Sequence, residues 1–107
     1  MSTVAVIGAS AKPARYSNRA MRMLQAHGHV PVPVSRTGED VLGVKGYASL
    51  RDVPERADTV TMYLSPERQA PVIEDVLAVR PRRVIFNPGA ENPDAYSRLA
   101  QQGIQVV

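Results

Sequence analysis

A polar loop near the amino terminus carries residue types that bind phosphate. Gly8 ends an apolar run, and a glycine there lets the chain turn sharply and lets main-chain amides approach a ligand. Ser10 and Ser17 can donate hydroxyl hydrogen bonds, while Lys12 and Arg15 can neutralise phosphate charges. A helix that begins just after the loop would add a favourable field for an anion. These residues predict a phosphate-bearing ligand, against the alternative of a plain strand-to-helix turn with solvated charges.

The distribution of charge along the chain supports an anionic partner. The formal net charge is +3, yet residues 1–38 contain five basic residues and no acidic one. Residues 39–107 contain eight basic and ten acidic residues. The positive field therefore belongs to the first third of the chain, where it would attract a phosphorylated small molecule or a nucleic acid. The alternative is a solvated helix face.

The loop does not match the G-x-G-x-x-G fingerprint of dinucleotide-binding proteins. Ser10 and Pro13 occupy the positions of the second and third glycines. After the second predicted strand, an NAD site usually carries an acidic residue, whereas this chain has Arg36, which suits a ribose-linked phosphate. From these residues, a ligand with a 2′-phosphate and one with a 3′-phosphate both remain open.

Apolar patterns and turn residues predict the elements that hold this loop. Val4–Ile7 is a continuous apolar run, as expected of a central strand buried on both faces. Ser17 is a suitable N-cap for a helix that Gly28 ends, and Pro71 should loosen or restart the second helix. The predicted strands are 4–7, 30–34, 59–64, 84–86 and 104–107, and the predicted helices are about 18–27, 66–80 and 93–102.

Two prolines shape the second strand. Pro31 and Pro33 each lack a ladder donor, but their spacing directs both toward the same side, away from the first strand. That outer edge should be weakly paired. Residues 41–48 contain Gly43 and Gly46, which favour a turn with at most a short third strand.

The alternation of strands and helices with short connections predicts the fold class. It indicates an α/β, Rossmann-like three-layer sandwich with a parallel sheet of about five strands in the order 3-2-1-4-5. Residues 1–107 are long enough for one such domain. This order counts the short segment at 41–48 as the third strand, so the first strand, 4–7, and the fourth, 59–64, flank the topological switch point, where a ligand crevice opens.

The composition excludes several kinds of chemistry. The 107-residue chain has no cysteine, which rules out disulfides, thiolate catalysis and cysteine-ligated metals. No apolar run approaches the ~20 residues of a membrane helix and no targeting segment is visible, so we expect a cytoplasmic protein without membrane contact. His27 falls at a predicted helix C-terminus, which favours a cap or dipole interaction over catalysis, and His29 begins a strand on the side of the sheet away from the predicted crevice. Since no nucleophile is paired with a base, the sequence indicates no catalytic or metal site.

Several segments, in their order and spacing, resemble a known family. The resemblance is to the small stand-alone CoA-binding proteins, which share the Rossmann-like fold of the N-terminal domain of the succinyl-CoA synthetase alpha subunit. It spans nearly the whole chain. The synthetase uses a histidine from a separate domain, so its activity is not implied here. The segments that carry the resemblance are 6–10, 12–13, 15–17, 28–29, 32–34, 43, 46–50, 52–54 and 84–92.

The resemblance implies a CoA site across the strand ends. Its pyrophosphate would lie over the turn at residues 8–10, and its adenosine 3′-phosphate near the loop after the second strand. The residues that match the family on the phosphate side are Gly8, Ala9, Ser10, Arg15, Tyr16 and Ser17, beside Lys12. Those on the adenosine side are Pro33, Val34, Ser35 and Arg36, with Lys45 or Tyr47 closing over the ADP portion and Asn87 and Gly89 in the late loop.

The leading hypothesis is a non-catalytic module that binds coenzyme A or an acyl-CoA, as a sensor or as an accessory subunit. One alternative is the NADP-binding domain of a reductase, which Arg36 permits but the missing glycine pattern opposes. A second is nucleic-acid binding through the basic first third, which the composition opposes because only Tyr16 supplies an aromatic ring there. A partner protein and a homo-oligomer both remain open.

Overall fold

A computed structural model describes residues 2–107 as a five-stranded, all-parallel sheet with three α-helices. The strands lie in the order β2-β1-β3-β4-β5. The strands are β1 (Thr3–Ile7), β2 (Val30–Val34), β3 (Thr59–Met62), β4 (Arg83–Phe86) and β5 (Gln105–Val106). The helices are α1 (Tyr16–Ala26), α2 (Ala70–Val79) and α3 (Pro93–Gln101), with 3-10 turns at Leu50–Asp52 and Pro66–Arg68. The predicted α/β, Rossmann-like fold class is confirmed.

Strand β1 is buried on both faces, because alternate residues pack against different helices. Val6 lies in an apolar cluster with Met21 of α1. Ile7 lies in the other cluster, with Ile73 of α2 and Leu99 of α3. The continuous apolar run of β1 thus follows from its place in the middle layer of a three-layer sandwich. Within residues 2–107, no helix combines the length and apolar character needed to cross a membrane.

The predicted orientation of the prolines in β2 is confirmed. The Val34 carbonyl accepts a hydrogen bond from the Gly8 N–H at 2.9 Å, on the β1 side. The Pro33 carbonyl instead accepts from the Tyr47 N–H at 3.0 Å, on the outer side. The positions at which Pro31 and Pro33 lack an N–H therefore face away from β1, and no hydrogen bond between β1 and β2 is lost.

The prediction of a turn with at most a short third strand within residues 41–48 is confirmed. Among residues 2–107, a single parallel bridge, between Val34 and Tyr47, extends the sheet beyond β2. Val41 and Val44 instead bond each other across a tight turn whose middle residues, 42 and 43, both have positive φ. Such a turn reverses the chain and prevents a continuous ladder. Because residues 41–48 form no full strand, the observed order is 2-1-3-4-5, in which β3 and β4 are the strands predicted as fourth and fifth. The final strand, β5, pairs with β4 and completes the set of five.

The start of α1 also differs from the prediction. Ser17 is not the N-cap, because the helix begins at Tyr16 and Ser17 is a buried residue of its first turn. The predicted effect of Pro71 is confirmed, since a 3-10 turn at Pro66–Arg68 precedes α2, and the proline lies in the first turn of that helix. A proline is tolerated there because the first helical amides have no intrahelical acceptor.

Candidate functional site

A cleft of about 1070 Å³ opens at the carboxyl ends of β1, β2 and β3. Helix α1 leads the chain from β1 to β2, while α2 leads it from β3 outward to β4, so the connections diverge between β1 and β3. This is the topological switch point, where parallel sheets form ligand crevices. Ten of the residues predicted from the sequence line the cleft: Gly8, Ala9, Ser10, Lys12, Arg15, Tyr16, Ser17, Val34, Ser35 and Arg36.

Gly8 serves chiefly to bring two loops together. Its φ is +85°, and a Cβ there would lie 3.3 Å from Leu64 Cδ2 and 3.4 Å from the Tyr63 carbonyl carbon. The amides of Gly8 and Ala9 both donate to the Val34 carbonyl, at 2.9 and 3.2 Å. These two amides are therefore not free for a ligand, contrary to the expectation from the sequence.

The amides at the start of α1 provide the alternative donors. The first intrahelical bond runs from the Arg19 N–H to the Arg15 carbonyl at 3.2 Å. The amides of Tyr16, Ser17 and Asn18 precede that bond and have no intrahelical acceptor four residues back. Because Tyr16 and Ser17 both line the cleft, this helix end faces the space that an anion would occupy.

Asn18 and Arg22 brace the loop from behind. Asn18 is buried, and its Nδ2 donates to the Ser10 carbonyl at 2.9 Å. Its Oδ1 accepts from Arg22 Nε at 3.1 Å, and Arg22 Nη2 donates to the Pro13 carbonyl at 3.0 Å. Sequence reasoning missed this network, although the spacing of four residues places both side chains on one face of a helix.

The cleft has an excess of positive charge. In the part of the chain that the structure describes, none of its four cations forms an ion pair with a carboxylate. One of its two carboxylates, Asp75, is paired with Arg51, which lies outside the lining. The cations are Lys12, Arg15, Arg36 and Arg68, and the carboxylates are Glu67 and Asp75.

The opposite wall of the cleft was not predicted. It is built from the loop after β3 and the first turns of α2, with Leu64, Pro71 and Val72 as its apolar members. The topology would have predicted this wall. A crevice at a switch point lies between two strands, here β1 and β3, and the loop after each of them must border it. Applying that rule to the segment after residue 62 would have found this wall.

Two predicted residues of the late loop do not line the cleft. Asn87 Nδ2 donates to the Met62 carbonyl at 2.9 Å, which ties the end of β4 to the end of β3. Gly89 is exposed, and its N–H donates to Glu91 Oε1 at 2.8 Å. Pro88, between them, is the residue of this loop that reaches the cleft.

The remaining three predicted residues lie on the outer side of β2. Pro33 and Tyr47 are joined through their main chains. Lys45 Nζ lies 5.6 Å from the centroid of the Tyr47 ring, within range of a cation–π contact. The structure therefore does not bring Pro33, Lys45 and Tyr47 into the cleft lining.

The chain is similar to known proteins over nearly its whole length. The family model described as CoA binding domain matches residues 2–107. Uncharacterized protein YneT of Bacillus subtilis is 30% identical over 104 residues, which cover 97% of this chain and 77% of that protein.

Solved structures with the same fold are also found. One from Thermus thermophilus is 32% identical, with a TM-score of 0.93 over 99% of this chain and 81% of that chain. A dinucleotide forming acetyl-coenzyme A synthetase 1 from Ca. Korarchaeum cryptofilum has 23% identity and a TM-score of 0.84 over 99% of this chain and 25% of that chain. This last similarity shows the fold alone.

Proposed function

The chain belongs to the family of CoA binding domains, and from this membership we propose that it binds coenzyme A or an acyl-CoA in the cleft after β1. The observation that carries the proposal is the meeting, at one switch point, of a helix start with cations that have no carboxylate partner among residues 2–107. CoA carries about four negative charges on its phosphates, which such a site would neutralise.

The pyrophosphate would lie against Ser10 and the first turn of α1. The amides of Tyr16 and Ser17 are the main-chain donors there, since those of Gly8 and Ala9 are occupied. Lys12 and Arg15 would add charge-assisted hydrogen bonds. The bracing of Ser10 by Asn18 keeps the loop in place before the ligand arrives, which reduces the ordering cost of binding.

The ribose and its 3′-phosphate would lie at the end of β2. Ser35 lines the cleft there, and the exposed Arg36 extends from the same loop. A guanidinium can bind a phosphate through two parallel hydrogen bonds. This position distinguishes CoA from its dephospho form, which has the same pyrophosphate and pantetheine arm.

Arg36→Ala should weaken CoA binding about tenfold, the loss expected for one charge-assisted contact, and leave dephospho-CoA nearly unchanged. Isothermal titration with both ligands measures this difference. Arg98→Ala is the matched control, because Arg98 pairs with Glu74 outside the cleft lining. An equal loss of affinity for both ligands would mean that Arg36 does not contact the 3′-phosphate.

We propose binding, sensing or accessory action rather than catalysis. Neither His27 nor His29 lines the cleft, and His29 Nδ1 accepts a hydrogen bond from the Ser2 N–H at 3.1 Å. The serine Ser49 donates to Asp75, but no imidazole lies in the cleft lining to act as a base for it. The cleft as described is therefore suited to holding a ligand.

Native mass spectrometry of freshly purified protein tests the ligand directly. We expect an adduct with the mass of CoA or of an acyl-CoA, and stoichiometric rebinding of CoA after its removal. Preference for NADP over CoA in titration, or binding of oligonucleotides with a steep dependence on salt, would contradict the proposal.

A further inference from the structure

Asp75 places a carboxylate in the lining of the cleft, and its side chain contacts residues 49 and 51 of the segment after β2. Its side chain is 19% exposed, and its Oδ1 accepts from Arg51 Nε at 2.6 Å. Its Oδ2 accepts from Ser49 Oγ at 3.1 Å. A carboxylate oxygen can accept about two hydrogen bonds, so each oxygen retains acceptor capacity beyond these contacts. Two protein donors thus hold in place a group that can still accept from a ligand.

The segment next to this carboxylate adjoins the end of β2. The Ser35 N–H donates to the Tyr47 carbonyl at 3.0 Å, so the chain enters residues 48–50 directly beside Ser35. Residues 48–50 all line the cleft. If the ribose of CoA lies at Ser35 and Arg36, residues 48–50 are therefore the neighbouring segment that its adenine would contact.

Aliphatic side chains share the cleft lining with Ser35 and Asp75, and they would suit a flat, largely apolar ring. Leu50 and Val34 are almost fully buried and line the cleft, and Val72 of α2 lines it from the opposite wall. Contact with such aliphatic side chains stabilises a bound purine, because it removes the apolar faces of the ring from water. The polar edge of the ring would then meet polar side chains of the same lining, Ser49 and Asp75.

We propose that Asp75 recognises the exocyclic amine of adenine, with Ser49 and Arg51 holding the carboxylate in position. The assignment rests on the proposed binding of CoA and adds a specificity-determining residue to it. A carboxylate is an acceptor only, so it selects a donor at that position of the ring. An analogue without the donor would exclude water from the carboxylate without replacing the hydrogen bond that the water made, and such a loss makes polar groups in a binding site selective.

The test compares CoA with its desamino analogue, in which hydrogen replaces the exocyclic amine of adenine. Isothermal titration should give about tenfold weaker binding of the analogue to the unmodified protein. Asp75→Ala should weaken CoA about tenfold and change the affinity for the analogue by less than about twofold, so that discrimination disappears. The two ligands differ by one amine, so a loss of folding in the variant would weaken both alike.

Glu74→Ala is the matched control. It removes a carboxylate from the neighbouring residue of α2, but Glu74 pairs with Arg98 and lies outside the cleft lining. This variant should keep the full discrimination between the two ligands. Equal affinity of the unmodified protein for both ligands, or equal losses in Asp75→Ala, would overturn the assignment while leaving CoA binding intact. Failure of the unmodified protein to bind CoA would instead overturn the proposed function itself.

Discussion

Replacing Gly46 with alanine should lower the free energy of unfolding by about 3 kcal/mol, at the upper end of the range for overpacking. Gly46 is buried, and a Cβ there would lie 2.6 Å from the Glu39 carbonyl carbon, 2.7 Å from the Gly38 oxygen, and closer still to the Glu39 oxygen. These atoms are main chain, so no side-chain rotation relieves the clash. The Gly46 N–H also donates to Asp40 Oδ1 at 2.9 Å, and this hydrogen bond joins the two sides of the loop.

Gly43→Ala is the matched control in the same loop. Its φ is +77°, but a Cβ there would meet nothing within 4 Å, so only the left-handed conformation opposes the change. We expect a loss of about 1 kcal/mol. Denaturation in urea gives both values. Equal losses would mean that the loop moves away from position 46 at little cost, and the close approach would then not be a constraint on the fold.

The same loop connects stability with the proposed site. Tyr47 follows Gly46 and bonds the main chain of Pro33 and Ser35, so a displaced residue 46 moves the bridge that places Ser35 at the cleft. Gly46→Ala should therefore weaken CoA binding more than Gly43→Ala, even at temperatures where both variants remain folded.

The sheet was predictable because its signals are local or periodic. The spacing of Pro31 and Pro33 decides which side of β2 pairs, and that geometry depends only on the alternation of a strand. The run Val4–Ile7 requires two apolar layers, which places β1 in the centre. The position of the cleft then follows from topology alone, since chain order determines where the connections diverge.

The donors of the phosphate loop were harder to predict, because they depend on contacts across the sheet. The amides of Gly8 and Ala9 look free in the sequence, yet β2 brings the Val34 carbonyl to both. The residues joined are about 26 positions apart, so no local pattern reports the contact. In the sequence, Asn18 likewise looks like an ordinary polar residue of a helix. Only the structure shows that its side chain donates to the Ser10 carbonyl and braces the loop.

The late loop shows an ambiguity of another kind. The sequence predicts Asn87 as a ligand contact, and in the structure its side chain joins the ends of β3 and β4. An amide side chain at a strand end can serve either purpose, since both require one donor at the carboxyl edge of the sheet. Only the distance to Met62 separates the two roles.

Gln69→Leu should lower the free energy of unfolding by about 3 kcal/mol, because it leaves several buried polar groups without partners. Gln69 is fully buried, and its Nε2 donates to the Leu64 carbonyl at 2.8 Å and to the Ala90 carbonyl at 2.7 Å. Its Oε1 accepts from Asn92 Nδ2 at 3.0 Å. One side chain thus joins the loop after β3, which forms a wall of the cleft, to the loop after β4.

Gln25→Leu is the matched control, because Gln25 is exposed on α1 and its side chain makes one long contact, 3.4 Å, with the Leu42 carbonyl. It should change the free energy of unfolding by less than about 0.5 kcal/mol. In Gln69→Leu, amide hydrogen exchange should also accelerate most around Leu64 and Ala90, since those loops lose their common partner. A loss below about 1 kcal/mol, with unchanged exchange in both loops, would show that the carbonyls find other donors and that Gln69 does not hold the cleft wall.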